Sequence, residues 1–170
     1  MACSLTSGYV LDCKDSLGGI VDVMFMASGD LTSYTEASGV VTAITKGAGK
    51  KFFKYALVKG TSSLTENINA SVENGTIFYQ QELTMIINKL QVAVRNELLL
   101  LAKNLLVAIV HDSNDIYWII GLKNGIDITA GNAGTGTAQG DRSGYTLTFT
   151  GKEPALAQQV SGSIIAALQV

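Results

Sequence analysis

His111 is the only histidine in the chain, and Cys3 and Cys13 are its only cysteines, so nucleophilic and metal chemistry have few residues to draw on. Neither cysteine, and no serine, has a partner histidine placed by a recognisable motif. The Cys3 and Cys13 spacing fits no zinc pattern, and both are expected as reduced thiols of a protein made in a cytoplasm. His111 ends an apolar run just before Asp112-Ser113-Asn114-Asp115. It is expected to face that turn with its ring in water. Asp12, Asp15 and Asp22 cluster near the start, but their spacing matches no hard-cation loop, and solvated charge is expected. Gly47-Ala48-Gly49-Lys50-Lys51 has the look of a phosphate loop in passing only. Its first glycine position holds Ile44, and Lys51 stands where the hydroxyl residue belongs. Gly131 to Gly140 carries no lysine. No catalytic residue, cofactor or metal is therefore expected.

The elements around these residues are more informative. Asn74-Gly75 separates two alternating runs within Ser62 to Ile87, a strong signal for a two-residue hairpin turn. That turn pairs Glu73 with Thr76, Ile68 with Gln81 and Leu64 with Met85. One face then carries Leu64, Ile68, Ala70, Val72, Ile77, Tyr79 and Met85. The other carries Thr65, Asn67, Asn69, Gln80, Glu82 and Thr84, because successive side chains of a strand point to opposite sides. Such a hairpin is a wall, packed behind and wet in front.

Further strands are expected at Ile20 to Ala27, Val40 to Thr45, Lys51 to Lys59, Leu105 to His111, Ile116 to Lys123, Ile126 to Ala130 and Tyr145 to Thr150. Ser28 to Gly39 and Gly131 to Gly144 are expected as loops, and Ala155 to Val170 as a short helix or an arm. Leu90, Val94, Leu98 and Leu101 form one stripe of an amphipathic helix over about 88–103, with Asn88 as its cap. Strands, one helix, then strands make an α+β fold, mostly antiparallel β, with the helix against a sheet or partial barrel.

At 170 residues, one domain spanning 1–170 is expected. Charged residues are 15% of the chain and the net charge is -2, which excludes a protein that grips phosphates through a basic patch. A mean hydropathy of +0.29 fits either a dense core or apolar surface buried in an assembly. The window Leu90 to Val110 is apolar, but Arg95, Glu97 and Lys103 interrupt it, so burial in protein is expected rather than a membrane span. No secretory signal is expected at the N-terminus.

Several segments together carry a resemblance: Asp12-Cys13-Lys14-Asp15 with Gly18-Gly19, Ser62-Ser63-Leu64-Thr65-Glu66, and Glu73-Asn74-Gly75-Thr76. Tyr79-Gln80-Gln81-Glu82-Leu83, Leu100-Leu101-Ala102-Lys103-Asn104 and the run Asp141 to Gly151 complete it. The chain resembles structural proteins of tailed bacteriophages, and most closely their tail tube (major tail) proteins. The resemblance implies a β-sandwich or split barrel with one flanking helix and terminal arms. It implies six copies in a ring, rings stacked into a tube, and DNA leaving through the bore without sequence-specific binding. Thr65, Asn67, Asn69, Gln80, Glu82 and Thr84 are then the candidate lumen-facing residues. Partners implied are other copies and tail proteins such as tape measure, sheath or terminator; the location is the virion tail, after synthesis in the host cytoplasm. Two other readings fit the same residues: another virion ring or decoration protein (terminator, head-tail connector), or a β-barrel ligand-binding module.

Overall fold

A computed structural model describes residues 5 and 7–170. The alternating and apolar runs form eleven strands: β1 (Ile20–Ala27), β2 (Leu31–Ala37), β3 (Val40–Lys46), β4 (Phe53–Ala56), β5 (Ser63–Ser71), β6 (Thr76–Asn88), β7 (Leu106–Asp112), β8 (Tyr117–Ile120), β9 (Asp127–Gly134), β10 (Gly144–Glu153) and β11 (Gln158–Val160). Two short helices, α1 (Val92–Leu101) and α2 (Gly162–Leu168), accompany them among the described residues. The strands make two sheets. The large one runs β2-β3-β11-β8-β7-β1-β4, and the small one β5-β6-β10-β9. Neither closes on itself, so the fold is α+β and mostly antiparallel, an open sandwich rather than a barrel.

Two apolar layers hold it. Val23 and Phe25 of β1 and Ala108 and Val110 of β7 meet Leu83 and Met85 of β6 and Leu147 and Phe149 of β10. Phe25 and Phe149 sit 4.8 Å apart, centroid to centroid. Leu98 and Leu101 of α1 join this layer. On the other side of the large sheet, Met24, Met26, Val107, Ile109 and Ile119 pack with Ile165 and Leu168 of α2. This double covering is why β7 reads apolar on both faces. Its covers are the small sheet and α2, with α1 contributing only at the margin.

The structure corrects several expectations. The stretch 28–39 is not a loop: after a 3-10 turn at Ser28–Asp30, β2 pairs with β3. Ser38 (φ 52°) and Gly39 (φ 79°) supply the two left-handed residues that a tight hairpin turn requires. The strand is polar because it is an exposed edge, which hides it from a reading based on apolar alternation. The helix is shorter than 88–103. Asn88 ends β6 opposite Gly144 rather than capping a helix, and Lys89 turns the chain with φ 68°. The strand expected at Lys51 to Lys59 shortens to β4, and β9 extends to Gly134. The C-terminal stretch is no free arm, since β11 and α2 are built into the large sheet and its covering.

The hairpin forms with a different register. Its last pair is Ser71 with Thr76, leaving four residues, 72–75, in the loop. Gly75 has φ 60°, but Asn74 does not enter the left-handed region, so the two-residue turn does not form. Instead Ser71 Oγ accepts from the Asn74 N–H at 3.3 Å and the Val72 carbonyl from the Gly75 N–H at 3.4 Å. Ile68 therefore faces Tyr79, not Gln81, and Leu64 faces Leu83, not Met85. A slip of two residues leaves every side chain on its expected face; a slip of one reverses them all.

Candidate functional site

Thr65 and Asn67 are exposed on the outer face of the small sheet, and Asn69, Gln80, Glu82 and Thr84 are half-buried there. Thr65 stands opposite Glu82, Asn67 opposite Gln80, and Ser63 opposite Thr84. The next strand extends the same surface: Thr148 lies opposite Thr84, Thr150 opposite Glu82, and Lys152 opposite Gln80. Across from β10, Asn132 pairs with Thr146 and Ala130 with Thr148. Thr129 Oγ1 and Thr150 Oγ1 share a hydrogen bond of 2.8 Å. The result is a continuous wall of hydroxyls and amides over four strands.

Its charge differs from the weakly acidic lining that the hairpin alone implies. Glu82 and Asp127 are accompanied by Lys152 on the face and Arg142 at its margin, where Nη2 donates to Thr146 Oγ1 at 2.7 Å. Lys152 also lies over the Phe78 ring, 5.3 Å from its centroid. β10 brings these cations beside the hairpin, and no local signal in residues 62–87 marks them.

Two buried polar groups, Gln81 and Glu153, and the half-buried Glu66 fix the wall to the rest of the molecule. Gln81, 2% exposed, points inward, and its Oε1 accepts from the Gly121 N–H at 2.9 Å. Glu66 Oε2 accepts from the Ala157 N–H at 2.7 Å. Glu153 accepts from the Lys123 N–H at 3.2 Å and the Asn124 N–H at 2.7 Å. Each would cost about 1–3 kcal/mol if left without its partner, so these contacts set the sandwich geometry.

His111 and Asp22 depart furthest from expectation. Asp22 is 3% exposed rather than solvated, and its Oδ2 meets His111 Nδ1 at 3.1 Å and Lys54 Nζ at 3.0 Å. His111 is largely covered rather than in water. Its Nε2 reaches Asp115 Oδ1 at 2.9 Å, and its ring stacks on Tyr117 at 4.2 Å. The cause is long range: β1 lies between β7 and β4 and so brings Asp22 to both His111 and Lys54. With Asp115 on Nε2 and Asp22 on Nδ1, both ring nitrogens are engaged by carboxylates and neither faces a nucleophile. The cluster locks three strands and a turn together. Burial and the Asp115 and Asp22 charges raise the Tyr117 hydroxyl above its ordinary value.

The turn after β7 is tied by Asp112. Burial pushes its carboxyl up, but the Trp118 indole N–H and the Ile116 and Asn114 N–H groups donate to it and hold it below its ordinary value. Trp118 is thereby a structural donor. Asp12, Asp15 and Cys13 are exposed, and Cys3 lies outside the described residues. No group of three or more metal-ligating side chains occurs among the described residues. No helix there is long and apolar enough to cross a membrane.

A hollow of about 540 Å³ lies between β4 and α1, lined by Phe25, Phe53, Tyr55, Leu100 and Leu101 together with Lys50, Lys51 and Glu97. No protein-family model matches the chain, and no curated protein or solved structure matches it significantly.

Proposed function

We propose that the chain is a virion structural subunit of the tail tube kind, which closes into rings whose small sheets join around a bore. The observation that carries this reading is the small sheet itself: one face packed at Leu64, Leu83, Met85, Leu147 and Phe149, with Ile68 and Ile77 toward the hairpin tip left exposed, the other face mostly hydroxyl and amide, and the outer edges of β5 and β9 unpaired among the described residues. Open edges of this length invite pairing with another chain. β5 has nine residues, roughly 30 Å of unpaired backbone. Successive strands of the sheet are antiparallel and four in number, so β5 and β9 run in opposite senses. A β9 of one copy can therefore meet β5 of the next without breaking the antiparallel alternation. A head-to-tail contact of this kind closes into a ring when its rotation permits.

Six copies, the number that the resemblance implies, bring twenty-four strands from four each. Barrels of about 16–18 strands already leave an aqueous channel. Thr65, Asn67, Asn69, Gln80, Glu82 and Thr84 would line it, joined by Thr148, Thr150 and Lys152. Balanced charge among hydroxyls and amides lets DNA phosphates pass, where a cationic ring would retain them. Stacked rings, DNA ejection, tail partners and a place in the virion belong to the same proposal. Negative-stain microscopy of the purified protein tests it. Rings or tubes with a central hole support it; a compact monomer at every concentration overturns it.

A further inference from the structure

We infer that Asn74, at the tip of the β5–β6 hairpin, is a self-modifying site: the Gly75 backbone nitrogen displaces its side-chain amide and leaves aspartate or isoaspartate there. Among the asparagines of the chain, only Asn74 and Asn124 precede glycine. Glycine matters because no side chain then crowds the attacking nitrogen. The two sites differ in what holds them. Asn74 and Gly75 are exposed, beside Val72 at 97% exposed. The Asn74 backbone N–H donates to Ser71 Oγ, while its side-chain amide has no hydrogen-bond partner among the described residues. The Gly75 N–H reaches the Val72 carbonyl only at 3.4 Å, a long and therefore weak bond. A Cβ placed on Gly75 would meet nothing within 4 Å, so a ring closing there has room. The loop 72–75 joins strands that are fixed by their pairing, and exposed loop tips move more than the strands that carry them.

Asn124-Gly125 has the same sequence and the opposite surroundings. The Asn124 side-chain amide donates to the Lys152 carbonyl at 2.7 Å, and its backbone N–H donates to Glu153 Oε1 at 2.7 Å. Gly125 is buried against Leu105, whose Cγ would stand 2.4 Å from a Cβ placed there. The next residue, Ile126, exchanges both backbone hydrogen bonds with Leu106. To react, the Asn124 amide has to leave Lys152 and swing over a nitrogen that packing encloses. The fold thus protects one Asn-Gly pair and offers the other to water.

The reaction balances with water alone. Hydroxide takes the Gly75 N–H proton, the nitrogen bonds to Asn74 Cγ, and the side-chain nitrogen leaves as ammonia, which closes a cyclic imide. Water then opens the imide. Breaking the bond between the Gly75 nitrogen and Cγ restores the ordinary backbone with aspartate. Breaking the bond between that nitrogen and the Asn74 carbonyl carbon routes the backbone through the side chain, one methylene longer, as isoaspartate. Nothing is oxidised or reduced. Either product sets a second carboxylate beside Glu73, and isoaspartate lengthens the loop while the paired strands stay as they are. The chemistry belongs to the single chain, whether or not copies form rings.

The test incubates the folded, full-length protein in heavy-oxygen water at mildly alkaline pH. Its peptides are followed by mass spectrometry, with electron-based fragmentation to tell isoaspartate from aspartate. Asn74 is expected to take up heavy oxygen with the mass change of amide to acid, isoaspartate in excess, at a rate that rises with pH. Asn124 should convert roughly tenfold more slowly or less in the folded protein, and match Asn74 in guanidinium chloride, where the packing is gone. Gly75→Ala, whose methyl crowds the attacking nitrogen, should slow Asn74 roughly tenfold. That alanine must adopt a φ of 60°, so its fold is checked by thermal melting. If it melts early, the comparison of Asn74 with Asn124 in the unaltered protein decides. An Asn74 that keeps its amide as long as Asn124 in the folded protein overturns the inference. So does aspartate without isoaspartate, which means direct hydrolysis with no imide, and so does an unchanged rate in a folded Gly75→Ala.

Discussion

Glu82 and Asp22 are both acidic residues on strands, and their environments assign them different work. Glu82 is half-buried on the outer face among hydroxyls, while Asp22 is buried between a histidine and a lysine. Glu82→Lys is expected to leave thermal stability within about 0.5 kcal/mol, as surface changes usually do. In the proposed tube it would add a phosphate-attracting charge to every copy, and virions assembled from it should then eject DNA poorly. Normal infectivity would count against the lining assignment. His111→Ala strips a partner from a buried carboxylate and should cost about 1–3 kcal/mol in denaturant unfolding. Asp112 gives a pH signature. Its carboxyl is held below the ordinary 3.8, so the stability that it contributes is complete above that value. It is lost as pH falls through the lower, folded-state value. Because Trp118 is the only tryptophan and donates to Asp112, its fluorescence should report the loss, and Asp112→Asn should remove that acid step.

Among the elements, the β5–β6 hairpin and α2 bear the clearest consequences. Gly75 has open space where a side chain would go, so Gly75→Val meets no steric wall, only the φ of 60°. The expected loss is roughly 1–2 kcal/mol, read by thermal melting, with the change confined to the hairpin tip. α2 contributes Ile165 and Leu168 to the layer behind the large sheet, and the Leu168 carbonyl accepts from the Phe52 N–H at 2.9 Å. Burying each such side chain is worth about 1.5–3 kcal/mol. A chain ending before Gly162 should therefore lose several kcal/mol and expose Val41 and Ile109, with aggregation on heating as the measurable outcome. The hairpin and the rear helix answer to different tests because one faces water and the other completes a core.

As a whole, the molecule has one doubly covered sheet and one singly covered sheet, and the second is the part left open to neighbours. In the proposed ring, closure through β5 and β9 would use backbone hydrogen bonds more than charge. Ring size in sedimentation should accordingly be insensitive to salt between low and near-molar ionic strength, where exposed ion pairs are screened. A strong loss of rings with added salt would point to a charged interface instead.

Periodicity is a local property, and what it encodes was readable without coordinates. Alternation in residues 62–87 separates a wet from a dry face, and that separation survives a wrong register because the true one differs by an even number of residues. The helical stripe of Val94, Leu98 and Leu101 marks α1, and the apolar runs mark strands covered on both sides. The partners of those faces are not local. Only the tertiary structure set β10 beside the hairpin with Lys152, turned Asp22 inward to His111 and Lys54, and put α2 rather than α1 behind the large sheet. Each of those contacts joins residues far apart in the chain. They are chosen by how the two sheets cover one another, which spacing along the chain does not record.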